Sequence, residues 1–289
     1  MDNDTISRRE MLRLLALGSA AGTLTPPFTP AAETNAPGKT AAPLHLAAQE
    51  QLRMGSEKIA ILVYPEFTPL DALGPHYPLA GMMGANVFFV ARTMDAVPCE
   101  GASRGGFCVK PHLTFADCPA DLDLLLVPGG LTGTMAAMQD DATLSFLVGQ
   151  GPKAKLIGSV CTGSLLLAAA GLLKGRRATS HWQMLEVLKA AGAKPVAERV
   201  VFDGTDRVTA AGVSAGLDLG FELVRHFRGD FYARGMQLLG EYDPQPPFPG
   251  GGNPRTADKT VVNMLTMMHA PLAEKFQELI RRAQAKLGR

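Results

Sequence analysis

Cysteine is scarce in this 289-residue chain. Four residues are too few for a disulfide-framework scaffold. Tryptophan occurs once and aromatic residues make up 6% of the chain, which argues against a surface that stacks nucleic-acid bases. The formal net charge is +1, so no overall field favours nucleic acid or an anionic membrane as partner. No G-x-G-x-x-G follows a predicted strand and there is no phosphate-binding loop, so nucleotide binding has no support. No His/Cys spacing suits zinc, and the expectation is a protein without metal or cofactor. What is plentiful is apolar sequence, 46% of residues, in a chain long enough for a full core.

The N-terminal region does not read as fold. Residues 7–13, SRREMLR, carry a paired arginine, and residues 14–24, LLALGSAAGTL, form a short, weakly apolar run that cannot span a bilayer. The pattern resembles a twin-arginine export signal. It predicts a periplasmic protein with no stable membrane anchoring after cleavage; the alternative is a chance Arg-Arg in a cytoplasmic protein. Cleavage sites at Ala31-Ala32 and Ala47-Ala48 both stay open. Residues 23–57 are rich in Pro, Ala, Thr and Gly and read as signal tail plus linker. The expected division is therefore 1–57 signal and linker, 58–245 domain, and 246–289 C-terminal extension with a helix. An oxidising compartment would permit a bridge between Cys99 and Cys108, which flank EGASRGGF, but nothing demands one.

Within the body, short apolar runs alternate with helical stretches. Residues 58–64, 86–91, 123–127 and 155–160 read as buried strands. Residues 97–110 read as a hairpin and 177–179 as a short strand; 200–203 and 207–211 form a small hairpin. Helices are expected at 76–83, 142–150, after residue 161, at 182–191, at 215–227 with Ser214 as N-cap, and at 231–239. After DPQPPFPGGGNP a last helix is expected over 257–287, with a break at Pro271 as one option. Met264, Met267 and Met268 on it read as helix packing rather than a metal box. The alternation predicts an α/β fold, a doubly wound, mostly parallel sheet with helices on both faces, a flavodoxin-like three-layer sandwich.

The segment KLIGSVCTGSLLLAAAGLL, from Lys155, holds the strongest chemical signal. Strand, Cys161, a small-residue turn and then a helix form a nucleophile elbow with sulfur in place of oxygen. A helix N-terminus beside Cys161 would favour its thiolate. Ligands of such sheets bind outside the carboxyl ends of the strands. Asp71, in the loop expected after the first strand, and Gly129-Gly130, after the third, fall at the same edge as Cys161, Thr162 and Gly163. Each has a plainer reading: Asp71 as a helix cap, the glycines as a tight turn, Thr162 as helix-start chemistry, Cys161 as a small buried hydrophobe. His181 and His76 are candidates for lining the pocket.

The motifs LDALGP (70–75), FADCP (115–119), LLVPGG (125–130), SVCTGSLLLAAAGLLKGRRATSHW (159–182), ERVVFDG (198–204), AGVSAGLDL (211–219) and EYDPQPPF (241–248) occur in one order. In these the chain, from about residue 58 to 243, resembles the PfpI/ThiJ superfamily, with its class I glutamine-amidotransferase-like fold. Within it, the motifs are most similar to the isonitrile hydratase branch and to ligand domains fused to AraC-type regulators. The resemblance implies a cysteine nucleophile at Cys161, a threonine after it at Thr162, and an acid–base aspartate at Asp71. It implies hydration of an isonitrile to an N-substituted formamide, with the N–H groups of Thr162 and Gly130 as an oxyanion-type hole. Peptidase-like branches usually place histidine directly after the cysteine; Thr162 stands there, which argues against proteolysis.

Two other readings stay open at this stage: a ligand-sensing module without turnover, and a redox sensor whose Cys161 oxidises. A regulator would need a helix-turn-helix domain of roughly a hundred residues. The stretch after Phe248 is shorter than that and holds one main helix, so DNA is not an expected partner. The apolar positions Val261, Val262, Leu265, Met268 and Leu272 recur at helical spacing, and a homodimer is expected, as in relatives of this fold.

Overall fold

The computed structural model describes residues 54–102, 106–248, 250 and 252–288. The proposed signal and nearly all of the linker lie outside them. The core is a seven-stranded sheet in the order β10-β11-β7-β6-β1-β2-β5. Its strands are β1 (Lys58–Leu62), β2 (Asn86–Ala91), β5 (Leu113–Thr114), β6 (Leu124–Val127), β7 (Leu156–Val160), β10 (Val200–Asp203) and β11 (Arg207–Ala210). All neighbours are parallel except the β10–β11 hairpin. β1, β6 and β7 are buried almost end to end, as strands covered on both faces must be. Two-stranded pairs β3 (Val97–Pro98) with β4 (Cys108–Val109), and β8 (Arg177–Ala178) with β9 (Lys194–Pro195), stand apart.

The chain runs from β1 outward to β2 and β5, then returns past β1 to β6 and proceeds the other way to β7 and β11. Right-handed crossovers then put the connections of the two halves on opposite faces. The switch falls between β1 and β6, and sheets of this kind bind ligands at the strand ends beside the switch.

Seven helices are described: α1 (Pro69–Ala80), α2 (Leu131–Ala137), α3 (Asp141–Gln150), α4 (Gly163–Ala169), α5 (Leu185–Ala190), α6 (Ala215–Leu239) and α7 (Lys259–Lys286). α1 packs along α6, while α4 lies between the sheet and α7. Every residue of α4 is buried, which explains its all-round apolar sequence. Phe276, Leu279, Ile280 and Ala283 of α7 are buried against the body, and Gln284 donates to the carbonyls of Ala168 and Ala191. The end of the C-terminal segment is thus part of the core.

Several expectations need correction. The helix expected at 76–83 begins at Pro69, so Asp71 sits in its first turn rather than in a loop. Pro69 opens that helix, where its missing N–H costs nothing. Pro75 and Pro78 lie inside it, seated against Gly216 and Gly220 of α6. Ser214 does not cap α6; its hydroxyl accepts from Arg199 Nη2 at 3.2 Å. The break expected between 227 and 231 is a kink at Gly229, with φ 81°. α7 runs through Pro271 without interruption. Met264, Met267 and Met268 are exposed rather than packed. α2 and β5 had no counterpart in the sequence reading. Cys99 and Cys108 are both free. Cys108 pairs with Pro98 across β3–β4, while Cys99 stands opposite Phe107 one residue further on, so the two side chains leave opposite faces of the ladder.

Gly163 opens α4 where the helix meets the end of β6. A Cβ there would lie 2.7 Å from the Pro128 carbonyl oxygen and nearer still to that of Val127. Gly163→Ala is therefore expected to lower stability by about 2 kcal/mol, as overpacking of a buried contact does. Denaturant unfolding reads this, and an unchanged midpoint would refute the close approach.

Candidate active site

Cys161 follows β7 directly and adopts φ 57°, left-handed backbone that a non-glycine residue takes up only under constraint. The constraint is visible. Its N–H donates to the carbonyls of Ala210 and Ala211 at 3.1 and 3.2 Å. Its carbonyl accepts from Ser164 Oγ at 3.0 Å and Ser180 Oγ at 3.1 Å. The turn places the thiol at the carboxyl edge of the sheet, where Cys161 is 5% exposed.

Asp71 reaches the same point from α1. It is fully buried, and its Oδ2 accepts the Gly129 N–H at 2.9 Å. Its Oδ1 has no protein partner. The capping role open to an aspartate here is therefore not the one it fills. Burial pushes its carboxyl up to about 8, against the pull of the Gly129 N–H and the nearby Cys161 thiol. Burial likewise pushes the Cys161 thiol well above its usual value, and the Asp71 charge adds to this. The Thr162 N–H and side chain act in the opposite direction without prevailing. This corrects the expected thiolate at a helix N-terminus. α4 has only seven residues, and desolvation outweighs what its first turn offers.

Thr162 directs its hydroxyl at the 128–130 turn. Its Oγ1 accepts the Gly130 N–H at 3.0 Å and bonds Thr134 Oγ1 at 3.1 Å. Thr134 in turn bonds the Tyr64 hydroxyl at 2.9 Å, which also donates to the Pro128 carbonyl at 2.7 Å. This buried chain fixes the 128–130 turn. The N–H of Gly129 is held by Asp71 and that of Gly130 by Thr162, so neither points free at a substrate. The oxyanion role expected for Gly130 is unavailable in this geometry. Gly130 itself needs its residue type, with φ 154° and the Phe67 Cα 2.9 Å from where a Cβ would be. Gly163 serves close packing, as described above.

His181 lies beside the thiol. A Cβ placed on Gly212 would touch its ring and sit 3.2 Å from Cys161 Sγ. Burial, with His269 nearby, brings His181 down to about 4, so it is neutral at physiological pH. His76 is not part of the site: it stacks on Phe89, centroids 5.0 Å apart, with His112 on the other side of that ring. Tyr64, Thr134, Ser180 and Gly212 escaped the sequence reading. Ser180 and Gly212 stood inside quoted motifs, but no spacing marked them. Among the described residues, no group of three or more His, Cys, Asp or Glu side chains is placed to hold a metal ion.

The DJ-1/PfpI family model matches residues 57–226, and the chain belongs to that family. It is 41% identical over 231 residues to isonitrile hydratase of Pseudomonas putida, covering 80% of this chain and 98% of that one. It superposes on a ThiJ/PfpI family protein from Pseudomonas syringae with a TM-score of 0.74 and 45% identity, over 78% of this chain and 91% of the other. The HTH-type transcriptional regulator GbdR of Pseudomonas aeruginosa is 26% identical over 176 residues, 60% of this chain and 47% of its own length.

A carboxyl raised from 3.8 to about 8 keeps its proton in the folded state and loses it in the unfolded state between those values. Stability then falls as pH rises through that window. Asp71→Asn removes the slope, so its melting temperature should exceed that of the wild type by a margin that grows from acid to neutral pH. A margin independent of pH would refute the buried, protonated carboxyl. The same substitution should speed alkylation of Cys161 under alkaline conditions, read by mass spectrometry of the modified thiol.

Proposed function

We propose that the protein is a cofactor-free hydratase that converts isonitriles to N-substituted formamides through a covalent cysteine intermediate. The observation that carries the reading is the pairing of Cys161 with a buried, proton-retaining Asp71 whose Oδ1 has no protein partner. The likeness to isonitrile hydratase over nearly that protein's full length supports it.

The reactive form holds one proton between the pair. Cys161 sulfur bonds to the terminal carbon of the isonitrile, and Asp71 gives its proton to that carbon, forming a thioimidate. The Asp71 carboxylate then takes a proton from water as the hydroxyl adds to the carbon, and passes that proton to nitrogen. As the C–S bond breaks, Asp71 takes the hydroxyl proton, the thiolate leaves and the formamide is released. The sum is isonitrile plus water to formamide, with the pair restored. Thr162 is a positioning residue in this scheme, holding the turn that aims the Gly129 N–H at Asp71.

A redox-sensing role has less support, because a thiol held protonated by burial is a poor target for oxidants. The reading also includes export to the periplasm, supported by SRREMLR, and a homodimer, supported by exposed Val261, Met264, Met267 and Met268 on α7.

Turnover of phenyl isonitrile to its formamide tests the proposal. Cys161→Ala and Asp71→Asn are each expected to lose about a thousandfold or more in kcat. Because the doubly protonated pair must lose one proton, kcat/KM should rise with pH through about 8. A wild type that alkylates at Cys161 yet hydrates no isonitrile would overturn the assignment.

A further inference from the structure

A cavity of about 580 Å³ lies beside the nucleophile turn, between the 182–185 region and the segment around Arg255. It shares a wall with the site. Ser180, which bonds the Cys161 carbonyl, and Gly212, whose missing Cβ would sit 3.2 Å from Sγ, both line it. Trp182, Leu185 and Ala197 give it apolar walls. Its charged groups differ in kind: Glu198, also in the lining, is paired with Arg177 Nη2 at 3.4 Å. Arg199 is committed, with Nε 2.6 Å from Asp218 Oδ2. Arg255 is exposed and, among the described residues, forms no ion pair.

We propose that this cavity takes the substituent of the isonitrile and selects aryl isonitriles that carry an anionic group. The ring packs against Trp182, the anion meets the Arg255 guanidinium, and the reactive carbon is directed at the Gly212 wall, where the His181 ring must turn aside to open the way to Sγ. An apolar pocket with one unpaired cation at its edge recognises a flat body with one negative end, and the guanidinium fork suits a carboxylate. The inference rests on the hydratase reading and deepens it by naming the substrate class. It also gives the segment around Arg255 a role, since that segment lines the cavity.

The test compares methyl isonitrile, phenyl isonitrile and 4-isocyanobenzoate on the wild type, Trp182→Ala and Arg255→Ala. Arg255→Ala should raise KM for the carboxylate about fivefold and leave phenyl isonitrile unchanged. Trp182→Ala should raise KM for both aryl substrates and not for methyl isonitrile; Trp182→Phe, which keeps a ring, should retain most of the preference. Equal effects on all three substrates, or none, would overturn the pocket assignment while leaving the hydratase intact. If the wild type hydrates none of the three, the hydratase reading fails. The pocket is then read by calorimetric binding of 4-formamidobenzoate: weaker binding to Arg255→Ala supports it, and undiminished binding to both alanine variants overturns it.

Discussion

A cysteine at φ 57° costs about 1–2 kcal/mol relative to ordinary backbone, and the rest of the site is arranged around holding it there. Five hydrogen bonds, with the carbonyls of Ala210 and Ala211, with the N–H and hydroxyl of Ser164 in α4, and with Ser180, pin the two peptide groups of Cys161. The turn is therefore over-determined by elements that belong to the core. The core in turn depends on the turn, because α4 can start immediately only if the chain reverses within one residue. A wholly buried helix of seven residues cannot stand by itself. It is held by the sheet below and α7 above, with Gln284 closing the Ala168 carbonyl at its end. The far C-terminal helix thus supports the nucleophile through α4, more than a hundred residues away in sequence.

That arrangement sets the electrostatics. A fully buried carboxylate with one orphaned oxygen is expensive, and the protein lowers the cost by keeping the proton on it. The Cys161 thiol lowers the proton affinity of Asp71, and the Asp71 charge raises that of Cys161, so removing a first proton from the pair is easier than removing a second. A nucleophile made by lowering its own pKa would need an exposed, electropositive setting. Cys161 has the opposite setting: burial, an acidic neighbour and a neutral His181. Such a pair is suited to a reaction whose electrophilic carbon must also gain a proton.

The parts legible in the sequence were those decided by local pattern. KLIGSV is apolar and short, Cys161 precedes Thr-Gly-Ser, and the Ala/Leu run that follows has no polar face. Strand, elbow and buried helix follow from these alone. The sequence puts Asp71 at the right edge of the sheet but in a loop, whereas it lies in the first turn of α1. Gly74 and the interior prolines Pro75 and Pro78 in PLDALGPHYPLA argue against a helix by propensity. The helix exists because Gly216 and Gly220 of α6 accept Pro75 and Pro78, a contact across more than a hundred residues. The raised thiol was illegible for a similar reason. A helix N-terminus is a local signal, whereas the burial and the Asp71 charge that outweigh it come from distant parts of the chain.

The residue after the nucleophile shows how one position divides chemistries on this fold. A histidine there would offer a base to the thiol. Thr162 instead turns its hydroxyl inward, to the Gly130 N–H and the Thr134–Tyr64 chain. Its effect is transmitted by the backbone: a fixed 128–130 turn keeps the Gly129 N–H on Asp71 Oδ2, and so leaves the buried Oδ1 without a hydrogen-bond partner. In the proposed hydration, proton transfer would fall to the aspartate, which comes to the sulfur from α1 rather than from the next position in sequence. A group held apart from the sulfur would serve both the atom that sulfur attacks and the water that follows, which a base poised for the thiol alone could not do.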